Sequence, residues 1–449
     1  MAQLCAVRYN TSRTDLSAKA CIGDRMNTVK LLHIGDVHYP DAELERLADV
    51  KDLGFPAYLV ESSNLKPLEL VMRSLQTELE SGFDGILVAG DLTSRGDLDG
   101  YKRCLEYLSS ITESISPDRI HAVPGNHDID RSAVDASGGG IDGKFEPFRA
   151  AWQAMGLPVL AVNRVRATDI ASPTGAKVRV LSLNSSIGCG EKRHLPPEIA
   201  DDLKSILGKF AATADPKDAF RLVGETLDTP AFQQADIDDA CRDISASEKG
   251  AMPVVLSHHN LLPQSLPRVA LYAELLNGGV ARSRLLGLRR SILYCHGHLH
   301  DDPIEIVAEP SNPGSHVILI SAPALTRGFN TITVEFGRKG WPLGCVVTIH
   351  RLSTRNGSVE PRTVRIPLYG PDLDIIRRLG NDLVESVLDV LSDGEVRFKD
   401  IQRSLRAKQQ RVQAATLVEA LLEAEWLGCV AVRNHEYDPQ HWHVRRISR

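Results

Sequence analysis

The feature that most constrains this chain is a short strand-like run that recurs along it and in five cases stops on a residue able to hold a metal ion or a proton. Seven runs share the pattern: VKLLHIGD (29–36), DGILVAGD (84–91), RIHAVPGNHD (119–128), VRVLSLNSS (178–186), AMPVVLSHHN (251–260), RSILYCHGHLH (290–300) and HVILISAPAL (316–325). They are rich in leucine and β-branched residues, and each closes on glycine, small or polar residues, as buried strands do where a loop leaves their carboxyl end. Amphipathic stretches such as PLELVMRSLQTELESG (67–82) and YKRCLEYLSSI (101–111) lie between them. Strand–helix alternation of this kind predicts a layered α/β architecture. NTITVEFG (330–337) and CVVTIHRL (345–352), separated by GRKGWPLG, predict a hairpin at a sheet edge.

Length and composition set the frame. At roughly 150 residues per domain, 449 residues predict two or three domains. With 43% hydrophobic and 24% charged residues, a mainly disordered or fibrous chain is excluded. A net charge of −6 excludes a polycation built to coat nucleic acid, so any such binding needs a local patch. No run reaches the 18 or so apolar residues of a membrane helix, so no membrane association is expected. Residues 1–15 lack the basic start and apolar stretch of a secretory signal. The eight cysteines are scattered without a CxxC pair, which predicts reduced thiols and a cytoplasmic location.

Residues 1–25 are polar and aperiodic and are expected to be a disordered tail. The α/β domain is expected over 26–368, with 187–250 as an insertion of short helices. After LYGPD (368–372) the pattern changes to helices over DLDIIRRLGNDLVESVLDVL (372–391), RFKDIQRSLRA (397–407) and RVQAATLVEALLEAEWLG (411–428). Two short strand-like pieces follow, CVAVRNH and HWHVRRI. Three helices and a hairpin over 371–449 resemble, in pattern, a winged-helix domain.

The chemistry sits at the run ends, which read GD36VH38, GD91, GN126H127D128, SH258H259 and GH298LH300. In an open α/β sheet ligands bind beyond the carboxyl ends of the strands, so these ends would converge on one crevice. Asp36, His38, Asp91, Asn126, His258, His298 and His300 make seven donors. Seven exceed one four- to six-coordinate ion and suit two ions sharing a carboxylate. Oxygen and nitrogen donors without thiolate favour Mn, Fe, Zn or Ni over a structural zinc. Two such ions would clamp a phosphate and activate a water between them.

DxH, GD, GNHD, a histidine pair after a strand, and GHxH, in that order over residues 29–350, resemble the calcineurin-like metallophosphoesterase superfamily. The resemblance implies a layered β-sandwich flanked by helices, with the smaller helical domain appended. It implies one metal on Asp36, His38, Asp91 and His300, and a second on Asp91, Asn126, His258 and His298, with Asp91 as the bridge. His127 resembles the family's non-ligand histidine, able to donate to a phosphate oxygen or protonate the leaving alkoxide, with Asp128 holding its ring. Of the pair, His258 directly follows the strand and is the expected ligand; His259 is expected to shape the substrate pocket. Arg95, Arg327 and His194 are candidate substrate contacts, each weighed against a surface role. His296 stands near the site, whereas His350, Cys189 and Cys295 read as packing residues.

GDLTSRG lacks the aspartate that phosphoprotein phosphatases of the superfamily carry in GDxxDRG. The motifs stand nearer to the cyclic-nucleotide phosphodiesterase branch, although HHN replaces the HHPP frequent there. The expected activity is hydrolysis of nucleotide-type phosphodiesters by a metal-bridging hydroxide. A nuclease and a non-catalytic metal-binding regulator are the alternatives. The nuclease reading rests on Arg397, Lys399, Arg403, Arg406, Lys408 and Arg411, which face only one acid, Asp400, between 397 and 411. Residues 371–449 as a whole hold 12 Lys/Arg and 13 Asp/Glu, and the last helix turns acidic, which speaks against groove insertion there.

Overall fold

The computed structural model describes residues 27–44, 66–113, 115–130, 143–157, 164–189, 229–263, 274–309, 315–353, 355–369, 373–391, 394–434 and 437–447. The expected tail and most of the expected insertion, residues 190–228, lie outside the described residues.

Twelve strands build the body: β1 (Asn27–Ile34), β2 (Gly85–Val88), β3 (Ile120–Ala122), β4 (Arg166–Ala171), β5 (Lys177–Ser182), β6 (Met252–Leu256), β7 (Ile292–His296), β8 (Ile304–Ala308), β9 (His316–Ser321), β10 (Gly328–Phe336), β11 (Pro342–Leu352) and β12 (Val359–Pro367). They form two six-stranded sheets, β12-β11-β10-β1-β2-β3 and β4-β5-β6-β7-β9-β8. β1, β2 and β3 run parallel, as do β5, β6, β7 and β9, while the remaining strands pair antiparallel to their neighbours.

The pleat explains the layers. In β1, Val29 and Leu31 point into the space between the sheets, where they meet Val178, Val254, Leu293 and Ile318 of the other sheet. The alternate residues Leu32 and Ile34 face outward onto helices. Those helices are α1 (Pro67–Leu79), α2 (Leu98–Thr112) and α3 (Glu146–Ala154), which bury Val71, Leu75, Leu105 and Trp152. On the second sheet Val255, Tyr294 and Leu319 turn outward onto α4 (Gln234–Ala246) and α5 (Gly278–Leu286). Each aliphatic side chain removed from water in this way contributes about 1.5–3 kcal/mol. The result is a β-sandwich flanked by helices.

The C-terminal unit comprises α6 (Leu373–Arg378), α7 (Asp382–Leu388), β13 (Glu395–Arg397), α8 (Phe398–Ala407), α9 (Ala414–Trp426), β14 (Val430–Arg433) and β15 (His443–Arg446). Its three strands lie in the order β13-β15-β14. The single helix expected over 372–391 is two helices, because Gly380 takes φ +67° and turns the chain between them. Phe398, Ile401, Leu417, Leu421 and Trp442 fill a core of their own that also takes in Leu343 from β11.

The unit is docked through α9. Glu423, 1% exposed, accepts from the Arg338 backbone N–H and from its guanidinium Nε at 3.3 Å. Trp426 Nε1 donates to Glu335 at 2.5 Å, and the Arg365 guanidinium lies 3.7 Å from the Trp426 ring centre. The turn between β10 and β11 follows Phe336, which pairs with Asn27 at the start of β1. The C-terminal unit therefore sits at the end of the sandwich opposite the carboxyl ends of the parallel strands. Among the described residues no helix is long and apolar enough to cross a membrane.

Candidate metal centre

Beyond β1 and β2 the parallel pairing continues into the loops. Asp36 N–H donates to Gly90 O at 2.9 Å and His38 N–H to Asp91 O at 2.9 Å, so both acidic turns advance side by side. The loop after β7 is tied to the same place, because His298 N–H donates to the two Asp36 carboxylate oxygens at 3.0 and 3.1 Å. The loop after β3 closes in from the other side, where His127 N–H donates to Asp91 Oδ1 at 2.8 Å. A Cβ on Gly125 would stand 2.0 Å from Asp91 Oδ1, so only glycine permits this approach.

Five site residues hold left-handed backbone: Asp36 (φ 51°), His38 (φ 50°), Asp91 (φ 50°), His298 (φ 69°) and His300 (φ 55°). Such a conformation costs a non-glycine residue about 1–2 kcal/mol and persists where the surroundings enforce it.

Two donor sets result. Asp36, His38, Asp91 and His300 each bring a ligand atom within 4.8 Å of the others. Within it His38 Nε2 and His300 Nε2 stand 3.0 Å apart, His300 Nε2 is 3.4 Å from Asp36 Oδ1 and His38 Nε2 is 3.7 Å from Asp91 Oδ2. His258, His259 and His298 form the second set on the same criterion. Asp91 Oδ2 reaches it too, 3.2 Å from His258 Nε2, and Asn126 Oδ1 lies 3.1 Å from that nitrogen. Asp91 thus stands between the sets.

The chemistry of these donors fits divalent ions. His258 Nδ1 lies 2.7 Å from the Ala89 carbonyl oxygen and so carries a proton. In a neutral ring, Nε2 then aims a lone pair at two further acceptors, Asp91 Oδ2 and Asn126 Oδ1. Three converging lone pairs in a buried site demand a cation or a proton. The local charges point the same way: burial disfavours a charged His258, yet Asp91 and then Asp36 outweigh it and push the ring up to about 9. Burial holds His38 down at about 4 and His298 at about 3, leaving both as neutral nitrogen donors.

The His127 side chain belongs to neither donor set. Its Nδ1–H donates to Ser94 O at 3.2 Å, and its ring meets the His38 ring edge-on at 4.9 Å. With Nδ1 committed, Nε2 is the nitrogen left to exchange a proton with a substrate. The expectation that Asp128 holds this ring is corrected. The Asp128 carboxylate accepts instead from the backbone N–H groups of Leu92 (3.1 Å), Thr93 (3.0 Å) and Gly125 (2.9 Å). It splices the loops after β2 and β3, and a carboxylate already saturated by backbone donors has no geometry left for His127. Asp128 is a positioning residue.

His259 Nδ1 lies 2.8 Å from Ser185 Oγ, and its ring centre is 4.5 Å from that of His298, so it belongs to the inner wall of the second set. Arg95 is exposed, and Arg327 is half-buried. Neither forms a salt bridge among the described residues. Arg327 N–H donates to Ala324 O, and Ala324 bridges to Gly35, which puts Arg327 on the rim beside Asp36. His194 lies outside the described residues. His296 is 1% exposed and held neutral at about 4 by burial. His350 stacks on Phe329 at 4.4 Å, and Cys189 and Cys295 are buried.

Motif reading misses Ser94 and Ser185, which orient His127 and His259. Ser94 acts through its backbone carbonyl, which any residue would supply, and Ser185 through a turn hydroxyl of a kind too common to stand out.

Known proteins bear on this arrangement. Residues 29–302 match the family model described as calcineurin-like phosphoesterase. Over 54 residues the chain is 44% identical to an uncharacterized metallophosphoesterase-like protein, YydB, of Bacillus subtilis (strain 168), a stretch covering 12% of this chain and 11% of that one. Among solved structures, a 5'-nucleotidase precursor from Thermus thermophilus aligns with a TM-score of 0.37 and 15% identity, over 83% of this chain and 62% of that one. Purple acid phosphatase PPD1 from yellow lupin (Lupinus luteus) seeds aligns with a TM-score of 0.38 and 13% identity, over 76% and 54%.

Proposed function

The chain belongs to the calcineurin-like phosphoesterase family, and from that premise we propose that it is a two-metal phosphodiesterase acting on nucleotide-type diesters. The observation that carries this reading is the lone pairs of His258, Asn126 and Asp91 converging at 3.1–3.2 Å, beside a second donor set that shares Asp91.

Two divalent ions, when bound, supply charge neutralisation for the phosphate and a water acidified by both. Asp36, His38, Asp91 and His300 would hold one of them; Asp91, Asn126, His258 and His298 the other. The chain's own residues do the rest. Asp91 is fixed for bridging by the His127 N–H on Oδ1, which leaves Oδ2 facing the histidines. Ala89 O fixes the His258 tautomer with its lone pair inward. Ser94 O fixes the His127 ring in the same way through Nδ1–H; the imidazolium form, with a proton on both nitrogens, would deliver its Nε2 proton to the leaving oxygen as the P–O bond breaks and return to the neutral ring. Arg327, whose backbone lies on the rim, would be the side chain able to pair its fork with the two non-bridging phosphate oxygens.

Position 94 lacks the aspartate of GDxxDRG, which speaks against a phosphoprotein phosphatase; Ser94 places a carbonyl beside His127 and a hydroxyl whose Oγ donates to His38 O at 2.9 Å. The test is hydrolysis of bis(p-nitrophenyl) phosphate beside p-nitrophenyl phosphate after chelator stripping and return of manganese. Metal-dependent turnover that favours the diester is the expected result. Preference for the monoester would overturn the diester assignment while leaving the family chemistry intact.

A further inference from the structure

The C-terminal unit carries a basic surface that the metal centre does not use. On α8 the residues Phe398, Ile401 and Leu405 are buried, and the opposite face shows Lys399, Arg403 and Arg406. These follow one another by four and three residues, so they form a single stripe along the helix. Lys408 and Arg411 continue the stripe beyond the helix end, and both are exposed. Asp400 is the one acid in this run, paired with Arg403 at 3.2 Å.

The small sheet extends the surface. Arg397 ends β13 and caps α8, and it lies in register with His443 of β15, which lies in register with Arg433 of β14. Two residues on, Arg445 shares that face, whose acid Glu395 is 3.4 Å from Arg433. Val396, Val432 and Val444 turn to the core on the other side. A helix stripe and a sheet face, each with a single acid among its basic groups, thus join at Arg397, on a protein whose net charge is −6.

We propose that this face docks the phosphate backbone of a nucleic-acid duplex without reading its sequence. Charge complementarity argues for the occupant: positive groups in a row match the regular spacing of phosphates along a duplex. The lack of sequence reading follows from α9. In a helix–strand–helix–helix–hairpin unit this is the helix that could enter a groove. Here its Leu417, Leu421, Glu423 and Trp426 are buried, and its start offers only Gln413 and Thr416 as hydrogen-bonding side chains beside Ala414 and Ala415, too few to read a run of base edges. The docked duplex lies far from the metal centre. The β1 strand separates them, and its eight residues span about 26 Å. The face therefore holds the protein on a polynucleotide rather than threading it into the site, and it does not depend on the diesterase reading.

The experiment is anisotropy of fluorescein-labelled DNA duplexes of about 20 base pairs with the full chain, in chelator, over a salt series. The wild type is expected to bind at 50 mM salt and to lose about 10³-fold in affinity by 200 mM. The triple variant K399A/R403A/R406A is expected to bind at least about ten-fold more weakly, with the log–log salt slope reduced by about 3. Its turnover of bis(p-nitrophenyl) phosphate is expected to match the wild type, which separates lost docking from lost folding. Two duplexes of unrelated sequence are expected to bind within about three-fold of each other. Absence of wild-type binding at 50 mM salt, an unchanged affinity in the triple variant, or capture by phosphatidylserine vesicles in place of the duplex would each overturn the proposal.

Discussion

Asp36, His38, Asp91, His298 and His300 hold φ between 50° and 69°, conformations that asparagine, aspartate and histidine tolerate better than β-branched residues do. The strain is held in place by hydrogen bonds from neighbouring loops, so each donor reaches the site through its backbone as much as through its side chain. Asp91 is the residue on which both donor sets depend. Asp91→Asn keeps the shape and loses the charge, and it is expected to lose one or both metals in elemental analysis of the purified protein. The His127 ring meets the donors at the edge of the His38 ring. His127→Ala, which keeps the backbone N–H on Asp91, is expected to retain both metals while kcat falls about 10²–10⁴-fold. Full turnover in that variant would remove His127 from the proton-transfer role. Asp128 shows the limit of motif reading: the letter beside His127 promised a ring partner, and three backbone N–H groups claimed it first.

Loops, not strands, decide how the centre is assembled. The loops after β2 and β3 approach so closely that a Cβ on Gly125 would meet Asp91 N at 2.5 Å and its Oδ1 at 2.0 Å. Backbone cannot yield as a flexible side chain can, so Gly125→Ala is expected to displace Asp91. The prediction is a metal affinity lowered at least about ten-fold by calorimetry, on the scale of lost supporting contacts, with the circular dichroism of the wild type preserved. Unchanged affinity would mean that the loop moves aside. At the same scale the sequence reading finds the central strands and misses β4, β8 and β12. All three are sheet edges. An edge strand pairs on one side and is part-exposed, so it has no continuous apolar run to betray it; β12 buries Ile366 while Glu360, Pro361 and Arg362 stay exposed. β13 is missed for another reason, since three residues are too few to show a period.

At the scale of the molecule, the two sheets and the C-terminal unit are held by a small number of specific contacts over a broad apolar base. His121 on β3 meets Ser182 Oγ of β5 across the sandwich at 3.0 Å. Burial and then Arg166 hold its ring down at about 3, against an ordinary value near 6.5. The folded state therefore binds this proton less readily than the unfolded chain. The stability is fully present above about pH 6.5 and is lost as pH falls towards 3, at no more than about 1.4 kcal/mol per pH unit for the one group. In urea titrations, His121→Gln is expected to flatten the pH dependence of stability over that window. An unchanged slope would clear His121 of acid sensitivity. At the far end, Trp426 wedges against Gly344, with Arg365 over its ring. Trp426→Ala is expected to cost about 3–5 kcal/mol. Loosening of the C-terminal unit would show as a separate early transition in calorimetry, with phosphoesterase activity expected to survive it.

The sequence by itself determined the strand-end donors, their order and the alternation of strands and helices, because each is written in a few consecutive residues whose spacing matches one backbone period. Spacing left open which partners those donors would meet, and only the family resemblance grouped them. His38 and His300 touch across 262 positions, and His258 and Asn126 across 132, distances at which no local pattern carries information. Tertiary structure alone committed Asp128 to splicing loops and buried one side of α9 against a hairpin. The reason is physical: local sequence sets conformation residue by residue, whereas hydrogen-bond partners are chosen by whichever groups the packed sheets bring within about 3 Å.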